Sequence, residues 1–184
     1  LSDKSASSHA LLKIILRRAY DAAPTYETRA LTPSDPVPED AAAALFIGDD
    51  ALELYHNPPA GICIYDLARE WKQLTGARMV FGIWAAARGF AEAHPDALRM
   101  VHGRIVRAFR DWDAVKAAAI TEVLEDGRFT RAQLTEYLGR AVVWQLDEAT
   151  LAGLRLFYRY AAEDGLIAHE PAIEMAAFDV NPSL

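Results

Sequence analysis

Cysteine is almost absent from this chain of 184 residues: Cys63 stands alone. A single thiol excludes an intrachain disulfide and fits a reducing, cytoplasmic setting. Its apolar surroundings, Gly61–Tyr65 (GICIY), predict a buried and inert side chain rather than a nucleophile. Long apolar runs are missing too; none reaches the ~18 residues that a membrane-spanning helix needs, and no signal-peptide pattern opens the chain. Basic residues are outnumbered, 19 Lys and Arg against 26 Asp and Glu, for a net charge of −7. That balance argues against nucleic acid or an anionic membrane as the main partner, because both require a basic face. It leaves room for a small anionic ligand in a locally positive site. The five histidines (His9, His56, His94, His102 and His169) are scattered with no ligand spacing, so no metal site is expected. A leading methionine is also lacking. The chain opens Leu1-Ser2-Asp3 close to a helix start, and the expectation is that an N-terminal portion is missing.

What is present is a regular succession of apolar segments. Ser5–Ser8 (SASS) precedes a helix with Leu11, Leu12, Ile15, Leu16 and Ala19 on one face, and Arg17 and Arg18 suit its last turn through the helix dipole. Thr25–Leu31 alternates like a half-buried strand, and Thr32–Asp40, with three prolines, reads as a loop. Ala41–Ile47 has the continuous apolar run of a fully buried strand and ends in Gly48-Asp49-Asp50. Asp66 can cap a helix that turns Leu67, Trp71 and Leu74 inward and stops at Gly76. Met79–Ala87 reads as a second buried strand. Strand and helix alternate to this point, which predicts an α/β fold with a mostly parallel sheet.

After Gly89 the pattern turns helical. Pro95 opens a helix bearing Leu98, Val101, Ile105 and Phe109. A second spans Trp112–Leu124 and ends at Gly127; Thr130 to Gln133 reads as a capping box for a third. Asp147 starts a fourth, with Leu151, Leu154, Phe157, Tyr158 and Ala161 as its apolar stripe and Gly165 at its close. Pro171–Leu184 reads as an extended tail with a short helical piece. The expected division is residues 1–88, an α/β unit, and residues 89–184, a helical part.

Three groups of residues are candidates for chemistry. Ser5, Ser7 and Ser8 lie at a helix mouth, where free backbone N–H groups and hydroxyls suit a carboxylate or phosphate; simple capping is the competing account. Asp49 and Asp50 fit a general base, a pair of metal ligands, or the cap of a short helix Ala51–Tyr55. His9 follows the serines directly, yet a histidine on a solvated helix face is the plainer reading. Trp71 and Trp84 read as core. Arg104, Arg107 and Arg110 read as a solvated helix face.

Several of these segments resemble one family. Ser5–Leu16 (SASSHALLKIIL), Ala44–Leu52 (ALFIGDDAL), Tyr65–Trp84 and Gly153–Ile167 (GLRLFYRYAAEDGLI) are similar, in order, to motifs of the chorismate dehydratases of the futalosine route to menaquinone. Ala68 replaces a usual glycine, and Ala77-Arg78-Met79 stands where that family tends to have Leu-Pro-Phe. The resemblance implies a fold like the type II periplasmic binding proteins, with residues 1–88 as the second lobe, the C-terminal helices packing back on the first, and the N-terminal lobe incomplete. It implies a cytoplasmic lyase that dehydrates chorismate to 3-(1-carboxyvinyloxy)benzoate without metal or organic cofactor. The site it implies has Asp49 as the catalytic residue, and Ser5, Ser7, Ser8, Gly48 and Trp84 against the substrate. The ring proton would pass to Asp49, to a group of the missing lobe, or to a carboxylate of the substrate itself. The rivals are the naphthoate synthase of the same pathway, where His9 would matter, and a non-catalytic solute-binding protein.

Overall fold

The structure is a computed structural model and describes residues 5–141, 143 and 145–176. It divides into two compact units. One comprises Leu1–Gly82 with Gln145–Pro171, the other Ile83–Trp144 with Ala172–Leu184.

The first unit is built on three helices: α1 (Ala6–Tyr20), α3 (Leu67–Thr75) and α8 (Glu148–Glu163), with the short α2 (Gly48–His56) within the chain that joins α1 to α3. Local sequence sets their ends. Ser5 caps α1, Asp66 caps α3 by accepting from the Arg69 N–H at 2.7 Å, and Asp147 caps α8 by accepting from the Thr150 N–H at 2.8 Å. Gly76, in the left-handed region, closes α3, and beyond α8 the Leu166 N–H turns back to the Ala161 carbonyl at 2.8 Å.

The core of this unit is helix on helix. Leu11, Ile14 and Ile15 of α1, Trp71 of α3, and Phe157 and Ala161 of α8 form one buried cluster, edged by Leu67, Met79, Leu156, Tyr160 and Ile167. Ile14, not among the residues expected to face inward, is fully buried there, because the inward stripe of α1 runs Ser8, Leu11, Ile14, Ile15. Trp71 meets Phe157 and Tyr160 edge to face, with ring centroids 6.2 and 5.8 Å apart. At the far end, Arg18 fastens α1 to α8. Its Nε and Nη2 donate to Asp164 at 3.0 and 2.7 Å, and its guanidinium lies 3.9 Å over the Tyr160 ring. The Tyr20 hydroxyl donates to Glu70 at 2.7 Å and so ties α1 to α3.

The second unit carries α4 (Arg88–Ala93), α5 (Pro95–Arg110), α6 (Trp112–Val123), a 3₁₀ turn at Leu124–Asp126, α7 (Arg131–Glu136) and a π turn at Tyr137–Ala141. Pro95 opens α5, Gly127 stops the helical run after α6, and Thr130 and Gln133 form the reciprocal capping box of α7. Among the described residues, Ile120, Phe129 and Leu134 are its buried apolar side chains. The Arg88 guanidinium donates to Glu174.

The expected α/β fold with a parallel sheet is not found. Among the described residues there is no sheet, and the one β pairing is an isolated bridge between Thr32 and Asp35. Ala41–Ile47 and Met79–Ala87 run as irregular chain without a ladder partner. Only Leu45 of the first is buried, and in the second Met79 packs on the helical core while Phe81 and Ile83 are exposed. The physical reason is that a short apolar run specifies burial, not pairing; a strand also needs a neighbour for its backbone groups. The type II binding-protein-like lobe implied by the resemblance falls with the sheet. Two core assignments fail with it: Trp84 is 80 % exposed, and Cys63 is exposed rather than buried. In the tail, 171–176 form no helix, and the rest of the expected helical piece lies outside the described residues.

Candidate functional site

Of the predicted site residues, the three serines come together at the start of α1. Ser5 is the N-cap, in extended conformation; its Oγ accepts from the Ser8 N–H at 3.2 Å and its hydroxyl donates to Ser8 Oγ at 3.0 Å. Ser7 Oγ lies 3.4 Å from Ser5 Oγ, and its hydroxyl donates to the Phe81 carbonyl at 3.2 Å. The His9 N–H closes the first intrahelical bond on the Ser5 carbonyl at 3.3 Å. These bonds use the hydroxyl protons of Ser5 and Ser7 and the Ser8 amide. Among the described residues they leave the N–H groups of Ala6 and Ser7 and the hydroxyl proton of Ser8 uncommitted. Two amides at the positive end of a 15-residue helix, with a hydroxyl behind them, make a setting complementary to a carboxylate.

Ser8 is buried at 7 % exposure and heads the same stripe as Leu11 and Ile15, so the helix start is rooted in the core. Capping, the competing account, is what the Ser5 side chain does. His9 is half-buried and takes part in interactions of its own.

Gly48 and Asp49 lie in the same unit but on another element. Asp49 is exposed in the first turn of α2, and among the described residues no hydrogen bond or ion pair joins it to the three serines. Neither Asp49 nor Asp50 is the cap: the helix starts at Gly48, its N-cap is Ile47, and no side chain closes it. Gly48 has φ +65°, a conformation that glycine adopts without strain, which gives this position a backbone task at the chain's entry into α2. Trp84 belongs to the second unit. No group of three His, Cys, Asp or Glu side chains suited to a metal occurs among the described residues, and none of their helices is long and apolar enough to cross a membrane.

Two contributors escaped the sequence reading. The Phe81 carbonyl receives Ser7, and Gly153 of α8 sits against the Arg78 carbonyl, three residues before Phe81. A backbone acceptor 74 positions away leaves no mark in a sequence. Gly153 does leave one, since a glycine inside a helix asks for a packing reason.

A family profile described as menaquinone biosynthesis matches residues 1–163. The chain belongs to that family. This is the family to which the segments starting at Ser5, Ala44, Tyr65 and Gly153 pointed, and it assigns the protein a role in menaquinone biosynthesis.

Proposed function

We propose that this protein dehydrates chorismate to 3-(1-carboxyvinyloxy)benzoate, with the start of α1 holding a substrate carboxylate. The family match over residues 1–163 carries the reading, and the uncommitted amides of Ala6 and Ser7 above the Ser5–Ser8 pair support it. Chorismate has two carboxylates, an enolpyruvyl ether and a neighbouring ring hydroxyl. A proton leaves the ring carbon that bears the ether, the hydroxyl leaves the next carbon, and the two depart as water while the ring becomes aromatic. Aromatisation drives the reaction, so the protein's share is to fix the anionic groups and to place a proton acceptor and donor.

In this reading Ser5, Ser7 and Ser8 order the helix start, and Asp49 is the protein group offered as acceptor, in competition with a carboxylate of the substrate. Gly48 sets the turn that presents Asp49.

The test is to incubate the intact gene product with chorismate and follow the products by mass. A species lighter by one water that forms only with the enzyme is the expected result; unchanged chorismate with folded protein refutes the activity. Asp49→Asn then separates the two acceptors. Loss of kcat by about a hundredfold or more is expected of a general base, and an unchanged kcat hands the proton to the substrate carboxylate.

A further inference from the structure

Gly153 lies in the second turn of α8, flanked by buried Thr150, Leu151 and Leu154. Glycine within a helix costs about 1 kcal/mol relative to alanine, so its place there needs a reason, and the structure supplies one. A β-carbon on Gly153 would stand 2.1 Å from the Arg78 carbonyl oxygen and 3.2 Å from its carbon. Both are backbone atoms, which cannot swing aside as a side-chain tip does. The chain at Arg78 therefore lies directly on the α8 backbone. Nearby, the Asp147 carboxyl is held below the usual carboxylate range, first by the Thr150 N–H and hydroxyl and to a lesser extent by the charge of Arg78.

The segment that leaves α3 is thus held at three points. At its start, Thr75 Oγ1 donates to the Trp71 carbonyl at 2.7 Å and accepts from the Ala77 N–H at 3.1 Å. At Arg78 it rests on Gly153. At Phe81 its carbonyl accepts the Ser7 hydroxyl. With the first two points fixed, the third fixes the first turn of α1, whose amides are the proposed anion donors.

We propose that Gly153 is a positioning residue for the serine site. By admitting the Arg78 backbone against α8, it places the Phe81 carbonyl where Ser7 can donate to it, and so aims the Ala6 and Ser7 amides at the substrate carboxylate. The inference rests on the reading of the α1 start as the carboxylate site. Alanine at 153 would push Arg78 away by about 1 Å, a displacement large enough to matter for a pre-aligned site.

The experiment is a double-mutant cycle on the intact enzyme with chorismate, using Ser7→Ala, Gly153→Ala and the pair. Each single substitution is expected to raise KM about tenfold, the equivalent of one lost hydrogen bond to a charged group, with a smaller change in kcat. The double variant is expected to be no worse than either single. Effects that multiply, or a Gly153→Ala enzyme with unchanged KM, overturn the proposal while leaving the serine site intact. An unchanged KM in Ser7→Ala overturns the site itself, and the proposal with it.

Should Gly153→Ala not fold, Thr75→Val loosens the same segment from its other end without a clash. Its KM is expected to rise severalfold and again not to multiply with Ser7→Ala. Multiplying effects there would likewise overturn the proposal.

Discussion

Trp71 tests the helical core most directly, because two opposing terms meet on one side chain. It is fully buried between α1 and α8, with Phe157 and Tyr160 edge-on, and among the described residues its Nε1 has no hydrogen-bond partner. A buried tryptophan removes roughly 150–250 Å² from water, worth about 4–6 kcal/mol at ~25 cal/mol per Å². Truncation to alanine ordinarily costs about 3–5 kcal/mol, since the cavity collapses in part. Removing an unpartnered N–H returns about 1–3 kcal/mol of desolvation. The expected net loss for Trp71→Ala is therefore about 2 kcal/mol. Trp71→Phe keeps one ring in the cavity and also deletes the orphan donor, so its loss is expected to be about 1 kcal/mol or less. Urea denaturation followed by far-UV circular dichroism measures both, provided the slope m is unchanged. A loss below about 1 kcal/mol for Trp71→Ala would refute the claim that the α1–α3–α8 cluster holds the first unit together. A Trp71→Phe variant as weak as Trp71→Ala would show that the indole N–H has a partner, such as a buried water.

Three further outcomes are expected. Arg18→Met takes both guanidinium hydrogen bonds from the Asp164 carboxylate, whose side chain is only 7 % exposed, leaves it Arg17 at 3.8 Å, and should lower stability by about 1–2 kcal/mol, between an exposed and a buried pair; an unchanged urea midpoint would dismiss the Arg18 clasp. The Asp147 carboxyl is lowered in the folded state, so its contribution is present above about pH 4 and is lost as pH falls through the folded value. Asp147→Asn should flatten the acid limb of a stability–pH curve and leave its neutral plateau without that pH dependence; an identical acid limb would refute the assignment. In the second unit, Thr130→Ala removes the hydroxyl half of the capping box, in which Gln133 N–H donates to Thr130 Oγ1 at 3.3 Å, and keeps the half in which the backbone N–H of residue 130 donates to Gln133 Oε1 at 2.8 Å. A cost of about 1 kcal/mol should speed amide exchange at Gln133 and Leu134 about fivefold, and unchanged exchange would count against the cap.

Much of the helical architecture was legible because its signals are local. Ser5, Asp66, Thr130 and Asp147 cap the helices they were expected to cap, and Gly76, Gly127 and Pro95 mark the ends their chemistry dictates. The apolar spacing of α8 was read correctly through Leu151, Leu154, Phe157 and Ala161. The sheet was misread because Ala41–Ile47 and Met79–Ala87 have the composition of strands, and composition says nothing about where a hydrogen-bonding neighbour lies. Trp84 shows the cost of that step: an apolar run made it core, and it is exposed. Asp49 and Asp50 were misread more subtly. Their carboxylates do sit at a helix start, as the dipole favours, but one and two residues inside it rather than at the cap.

At the serine site the division between legible and hidden follows sequence separation. The Ser5–Ser8 bond spans three residues and is a capping geometry that the tetrapeptide alone announces. The contacts that hold the helix start in place span the chain: Ser7 reaches Phe81, and the chain leading to Phe81 lies on Gly153, far along in α8. Each partner is ordinary where it stands, a carbonyl in one case and a glycine in the other. Only the helix context of Gly153 hinted at a close approach, and it did not say to what. A serine cluster at a helix mouth thus advertises that anion donors exist, while the fold decides how they are aimed. Substitutions at Gly153 and Thr75 should therefore change substrate binding although neither residue bears a group that the substrate would meet.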